Sequence, residues 1–521
     1  VETALLQSIN VGPGINSIED LAARFITSRQ VLGYEDEAAV LAAAREWIDD
    51  CRHSHDCTWP SSGSNSVTLP SRLIDVGDDT IAPDVRLHTT RSGETLEYVA
   101  LSYCWGGPQP VTTTLANLGS MEQRIPLTKL PKTLQYAVRL TRSVGQRYLW
   151  VDALCIIQDS GEDMRREIQK MGSIYRNAVF TISAARASKV SEGFLGRQPE
   201  STPLPSVRWQ LDIPGMGMHT IFISTWYGQP GYWPKHPLDR RGWTLQESML
   251  SPRLMVFSEY EPIWHCRAVQ GKTAKASVIE YANLSRRLPD WFFAEQADPD
   301  NPWKFSRIQM PALWESIVKN FTGRALTNKE DRLDAVAGIS AELQRRSKDD
   351  YFYGHWRECF VRQLLWHVFP SSVSLEERRR RAPTWSWGSV DGTVYYDIGS
   401  LTLQDEATAQ VTVNAAGGFP RVWVTLKIKR RDAFANEPVK CHFDLADQDS
   451  DPPSDAVMLF LATSTLVRRS DAGYGIICVQ SNKQSDTLQR IGYFEPRDVP
   501  TEELRDSGIW EGVELRQILL E

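Results

Sequence analysis

Apolar residues in the first half of the chain follow two rhythms. In "EYVALSYCWGG" (97–107) they run almost unbroken and stop at two glycines, as in a buried strand entering a turn. "PKTLQYAVRLTRSVG" (131–145) instead puts Leu134, Ala137, Val138 and Thr141 on one helical face. Pro131 suits its first turn and Gly145 its stop. "YLWVDALCIIQD" (148–159) reads as a second buried strand. "SGEDMRREIQKMGSIYRNA" (160–178) reads as a helix with Met164, Ile168, Met171 and Tyr175 on one face, and with Ser160 and Asp163 at capping-box spacing. "VFTISAA" (179–185) is a third strand. The order strand, helix, strand, helix, strand predicts parallel strands joined by right-handed crossovers.

Flanking segments have other patterns. "SIEDLAARFITSRQVLG" and "EDEAAVLAAAREWIDDC" carry apolar residues at helical spacing, and "PSSGSNSVTLPS" is a loop. "WTLQESML" (243–250) is predicted helical, with "RLMVFS" and "PIWHC" as paired strands. Residues 271–370 look mainly helical, including "EDRLDAVAGISAEL" and "HWRECFVRQLLWHV". After "RRRRAPTWSWGSVDG" come short alternating runs, "GTVYYDI", "AQVTVNA", "RVWVTLKIK" and "AVMLFLAT", the pattern of an antiparallel β unit. The expected organisation is a helical N-terminal region (1–85), an α/β domain on a parallel sheet (86–270), a helical region (271–380) and a β-rich C-terminal region (381–521). No internal repeat is legible.

In an open parallel sheet, ligands gather at the carboxyl ends of strands. Gly106 with Gly107, and Gln158 with Asp159, fall at two such ends. Asp152 lies deeper and needs a partner, because an unpaired buried carboxylate costs several kcal/mol. An arginine from a later segment could supply it.

Composition narrows the function classes. The chain has 521 residues, 41% of them apolar, and a net charge of -7, which argues against a general nucleic-acid or anionic-membrane binder. Eight scattered cysteines form no legible disulfide framework and favour a reducing compartment. The run Ala456–Val467 is too short to span a bilayer, and no signal peptide is visible. The chain starts at Val1 rather than Met, so an N-terminal address could have been trimmed.

Three stretches, "YVALSYCWG" (98–106), "LPKTLQYAV" with "YLWVDALCIIQD" and its helix (130–178), and "RRGWTLQESMLSPRLMVF" (240–257), resemble the fungal heterokaryon incompatibility (HET) domain proteins. "SRLIDV" and "RAPTWSWGSVDG" resemble the family's flanks, and the strong part of the resemblance covers about residues 71–270. The resemblance implies a cytoplasmic fungal protein linked to programmed cell death when unlike hyphae fuse. It also implies a distant likeness to Toll/interleukin-1 receptor (TIR) domains, some of which cleave NAD while others only assemble. Fold does not fix function.

Under that likeness, NAD would be a substrate, and no resident cofactor is required. Cleaving its nicotinamide–ribose bond needs a carboxylate against an oxocarbenium-like charge. The resemblance to TIR enzymes points to Glu167, with Glu162 nearer the strand end and Asp152 and Glu247 also at the rim. The structural alternative pairs Asp152 with an arginine, caps a helix with Asp163 and leaves Glu167 solvated. Arg241 could grip a pyrophosphate or neutralise Asp152. Tyr103 and Trp105 could stack on a ring or fill the core. Gly106, Gln158, Asp159 and Trp243 complete the candidate binding set, with Trp243 and Glu247 on one helical face.

A thiol nucleophile, Cys155 foremost, lacks an evident histidine base. "CRHSHDC" (51–57) offers Cys51, His53, His55 and Cys57 as zinc-type ligands, as a redox-sensitive pair, or as packing at a helix end. "CWGG" alone is a weak phosphate signature. Three function classes stay open: a cell-death effector or regulator with NAD cleavage, a non-enzymatic module that self-associates or binds another incompatibility protein, and a small-molecule enzyme of secondary metabolism on the same scaffold.

Overall fold

The computed structural model describes residues 9–13, 34, 36–55, 57, 68–77, 84–196, 206–213, 217–225, 236–259, 261–266, 268, 272–273, 309–369, 373–396, 401–403, 408–412, 421–430, 439–444, 456–464, 474–481, 487–496, 513 and 515–520. The chain divides into two compact units, Val1–Glu295 and Gln296–Glu521. The predicted helix over 17–33 lies outside the described residues.

In the first unit, β1 (Ile9–Pro13) pairs with β8 (Gly217–Thr225), which pairs with β7 (Ser206–Ile213), in a small antiparallel sheet. The main sheet has eight strands. Its members are β2 (Arg72–Asp75), β3 (Arg86–Thr89), β4 (Tyr98–Ser102), β5 (Tyr148–Trp150), β6 (Thr181–Ser183), β9 (Leu254–Phe257), β10 (Pro262–His265) and β11 (Lys272–Thr273). Their order is β11-β10-β9-β6-β4-β5-β2-β3.

The centre is parallel, as the alternation of strands and helices predicts: β4 pairs in parallel with β5 and β6, and β6 with β9. The margins are antiparallel, β2 against β5 on one side and β10 against β9 on the other. The stretch assigned to a separate helical region before residue 86 therefore contributes β2 to the same sheet, between β5 and β3. The buried face of "RLID" carries that strand inward, although it is only four residues long and gives a weak period.

The helices follow from their faces and caps. α1 (Glu37–Ser54) starts at Asp36, whose side chain accepts from the Ala39 amide at 3.0 Å, and it buries Val40, Ala44, Trp47 and Ile48. α2 (Leu118–Gln123) is a single short segment. α3 (Lys132–Ser143) buries Leu134, Ala137, Val138 and Thr141, the predicted face, and Gly145 ends the turn with φ 72°.

The strand predicted over 148–159 is shorter than expected. β5 ends at Trp150, and residues Asp152–Cys155 form a short helix, α4. Buried side chains all round give this turn the apolar look of a strand, so its period could not identify it. α5 (Gly161–Asn177) is capped by Ser160, which accepts from the Asp163 amide at 3.3 Å. α6 (Trp243–Leu250) sits between β6 and β9 in sequence.

Taking the four parallel strands in chain order, the sheet reads second, first, third, fourth. The connections leaving β4 and β6 therefore run in opposite directions, and a crevice opens between their carboxyl ends.

In the second unit, helices Gln309–Thr322 and Ala337–Ser347 precede the β-rich part. The segment "HWRECFVRQLLWHV" is not one helix: His355–Trp356 and Trp366–Phe369 are strands flanking the short helix Phe360–Gln363. Trp366 and Val368 alternate inward, which is strand periodicity that the neighbouring helical spacing obscured. The C-terminal strands pair antiparallel except Thr487–Pro496 with Leu515–Leu520, which run parallel. Strand Arg421–Arg430 bonds both to Leu515–Leu520 and to Val457–Ser464, so five strands close on themselves. This unit also holds a buried ion group in which Asp444 meets Arg490 at 2.8 Å and Arg378 at 3.4 Å.

Candidate functional site

The crevice between β4 and β6 is built from polar groups that end these strands. Ser102, the last residue of β4, and Ser183, the last of β6, line an open cleft with Leu238, Asp239, Thr244, Ser248 and Leu254. Its volume is about 10 Å³, room for roughly one water. Behind Ser102 lies Glu247 of α6, which accepts a hydrogen bond from the Ser102 hydroxyl. Glu247 is 6% exposed. Burial pushes its carboxyl up to about 7, Arg241 and the Ser102 hydroxyl pull it back, and the charge of Asp152 adds to the rise. Tyr175 lies against this carboxyl, and its hydroxyl donates to the Leu101 carbonyl at 3.1 Å.

Asp152 stands beside this group. Its Oδ2 accepts from the Trp105 indole at 2.9 Å and its Oδ1 from its neighbour's amide, Ala153, at 2.7 Å. Burial raises its affinity for a proton, and the Arg241 charge and these hydrogen bonds offset that only in part. The partner that a deep aspartate requires is thus an indole N–H together with the nearby arginine charge. Arg241 also donates to the Tyr103 carbonyl, tying the turn after β4 to the entry of α6. Tyr103 is buried, and burial and the Asp152 charge hold its phenol well above its ordinary value. Asp152, Glu247, Arg241, Tyr103 and Trp105 therefore form one electrostatic group.

Glu167 does not belong to it. Its side chain is 0% exposed and accepts from the Ser71 amide at 3.1 Å, from the Ser71 hydroxyl and from Lys170 Nζ at 3.1 Å. It is neither solvated nor open to a ligand: α5 uses it to hold the chain entering β2. Asp163 has a parallel role. It caps nothing with its carboxylate, which instead accepts from Arg72 and from the Ile157 amide at 2.9 Å. Both carboxylates are consumed because β2 arrives alongside β5 and brings uncapped donors to the start of α5.

The remaining candidates divide. Glu162 is exposed in the first turn of α5. Asp159 is exposed and accepts from the Leu115 amide at 2.8 Å. Gln158 donates to the carbonyls of Asp152 (3.2 Å) and Ile156 (3.0 Å), bracing α4. Trp243 is half-buried against the core. Gly106 is exposed with φ 68°, and a Cβ there would stand 2.6 Å from the Lys189 Cα, so the position needs glycine for backbone reasons. Cys155 is buried, its thiol is pushed up to about 12 by burial, and its sulfur takes the Val151 amide at 3.4 Å, an inert arrangement.

His53 is exposed and bonds the Asp49 carbonyl at 2.7 Å. Cys51, His55 and Cys57 instead meet Cys266, with all four ligand atoms within 4.8 Å of one another.

Ser102, Ser183 and Tyr175 were not among the sequence candidates. The serines are the small polar residues that close buried runs in "YVALS" and "VFTIS", a signal that was present but shared with many buried hydroxyls. Tyr175 sits on the predicted core face of α5 and gives no sign of its polar end.

Residues 98–247 match the family described as heterokaryon incompatibility protein (HET). The match begins at the first residue of β4 and ends at Glu247, covering all the lining residues of the crevice except Ser248 and Leu254. No curated protein and no solved structure matches the chain.

Proposed function

We propose, on the premise that residues 98–247 form a HET domain, that this protein is an effector or regulator of programmed cell death in heterokaryon incompatibility. We further propose that it acts by hydrolysing the nicotinamide–ribose bond of NAD at the crevice between β4 and β6. The observation that carries this reading is Glu247, a buried carboxyl held near about 7 behind a serine hydroxyl that lines the cleft at the switch point of the sheet. A base with that affinity serves proton transfer at neutral pH.

In this reading, ionised Glu247 opposes the positive charge that develops on the ribose. Water attacks the ribose carbon, nicotinamide leaves as a neutral molecule, and the water proton passes by way of the Ser102 hydroxyl to Glu247. Arg241 keeps Glu247 and Asp152 from both taking protons, since its charge lowers each. Asp152, fixed by Trp105, lies close enough for its charge to act on Glu247. Glu167 has no chemical part.

The test is incubation of the purified full chain with NAD and chromatographic detection of nicotinamide and ADP-ribose. Wild type and Glu167→Gln, where folded, are expected to release both. Glu247→Gln is expected to lose at least about a hundredfold in rate, as removal of a positioned acid–base group does. Absence of release by folded wild type removes the catalytic half of the proposal.

One observation favours a second reading. The cleft, at about 10 Å³, has room for roughly one water and falls far below the roughly 300–1,000 Å³ of ordinary ligand pockets. An assembly module would need no larger space. Concentration-dependent self-association without NAD turnover would support that reading.

A further inference from the structure

The helix α1 ends one turn after Cys51, and His55 follows in extended backbone with Cys57 just beyond. Cys266 comes from a distant part of the chain, directly after β10. Three sulfurs and one ring nitrogen from these residues lie within 4.8 Å of one another, and Cys266 Sγ stands 3.7 Å from His55 Nδ1. The three thiols are buried and the imidazole is half-buried.

That geometry has a specific chemical meaning. Zinc binds thiolate sulfur at about 2.3 Å and imidazole nitrogen at about 2.0–2.1 Å on tetrahedral corners. Corner-to-corner separations are then roughly 3.5–3.8 Å, which the Cys266–His55 distance meets. We propose that Cys51, His55, Cys57 and Cys266 bind one zinc ion in a closed, structural site. Soft thiolates favour zinc over magnesium, calcium or manganese, and four protein ligands leave no position for a substrate.

The surroundings suit the charge. A zinc ion with three thiolates and a neutral imidazole carries one net negative charge. Arg253 donates from Nε to Cys51 Sγ at 3.1 Å and from Nη1 to the Val179 carbonyl at 3.1 Å, so a guanidinium is anchored against the cluster. Such hydrogen bonds to ligand sulfur are the usual outer partners of a metal site. Beside it, Trp47 of α1 and Trp264 of β10 bring their ring centroids to 6.5 Å. The ion would fasten the end of α1 to the antiparallel margin of the sheet, joining segments more than two hundred residues apart. This role is separate from the crevice and does not depend on its chemistry.

The test uses the full chain purified without chelator, with metal content read by plasma mass spectrometry. One zinc per chain is expected. Displacement by a mercurial, chelation and reloading with cobalt(II) should give the intense visible bands of tetrahedral cobalt and a near-ultraviolet sulfur-to-cobalt charge-transfer band. Cys266→Ser and His55→Ala should each lose most of the bound zinc, and His53→Ala should keep it. If both ligand variants fail to fold, the cobalt spectrum of the wild-type chain still decides. A folded chain that takes up neither zinc nor cobalt would overturn the proposal. So would full metal content in both ligand variants, or a disulfide among these cysteines in protein isolated without oxygen.

Discussion

Two glutamates on neighbouring helices show what separates a structural carboxylate from a reactive one. Glu167 is surrounded by donors: the Ser71 amide, the Ser71 hydroxyl and Lys170. Glu247 has the Ser102 hydroxyl and a second carboxylate nearby, so burial dominates and its proton is held to about 7. This has a consequence for stability. An unfolded glutamate titrates near 4.5, so between 4.5 and about 7 the folded chain binds the proton more tightly. Stability from this group is therefore greatest at low pH and falls as pH rises through that window. Denaturant titrations at several pH values should show Glu247→Gln gaining on wild type across the window, by on the order of 3 kcal/mol. A constant difference between the two proteins would mean that Glu247 titrates normally.

At this scale the sequence was only partly legible. Asp152, Arg241, Tyr103, Trp105 and Glu247 were all candidates: Tyr103, Trp105 and Asp152 follow buried strand runs, and Arg241 and Glu247 flank and occupy the predicted helix 243–250. The preference for Glu167 came from family likeness, and nothing in "DMRREIQKM" reveals that Ser71 will meet it. That contact spans 96 residues and depends on the register of β2.

Elements position these groups, and the short ones matter most. β2 is only four residues long, yet Arg72 on it forms a buried pair with Asp163, their side chains 6% and 4% exposed. Replacing Asp163 by Asn leaves Arg72 buried without its counter-charge, with an expected cost of about 3–5 kcal/mol. Urea unfolding followed by tryptophan fluorescence would measure it, and a change below about 1 kcal/mol would show the pair to be dispensable. The turn after β4 is equally constrained. Gly106→Ala meets the Lys189 backbone and an unfavourable φ of 68°, so it should lower the melting temperature and distort the turn that carries Trp105. Thermal unfolding with near-ultraviolet circular dichroism would report both effects.

Elements with one buried face, such as α3 and α5, were legible because periodicity records a single face. α4 was not, since Ala153, Leu154 and Cys155 are all buried and a turn buried all round has no period. The β-rich end was recognisable by alternation, but its closure on strand Arg421–Arg430 depends on pairings that no local pattern encodes.

For the whole molecule, the order of the strands turns a row of motifs into a site. The parallel centre of the sheet was predictable from the alternation of elements. Its strand order, and hence the opposite exits from β4 and β6, was not, because crossover direction leaves no trace in composition. The antiparallel margins draw in segments from before and after the family match, so residues 98–247 do not make the sheet alone. Among the described residues, no helix is long and apolar enough to cross a membrane.

The most direct measurement is the rate of nicotinamide release from NAD by the full chain as a function of pH. The expected profile for wild type rises with ionisation of one group with a midpoint near about 7, and it collapses in Glu247→Gln. A rate that is flat across this range, or one that survives the substitution, would contradict a reactive carboxyl behind Ser102.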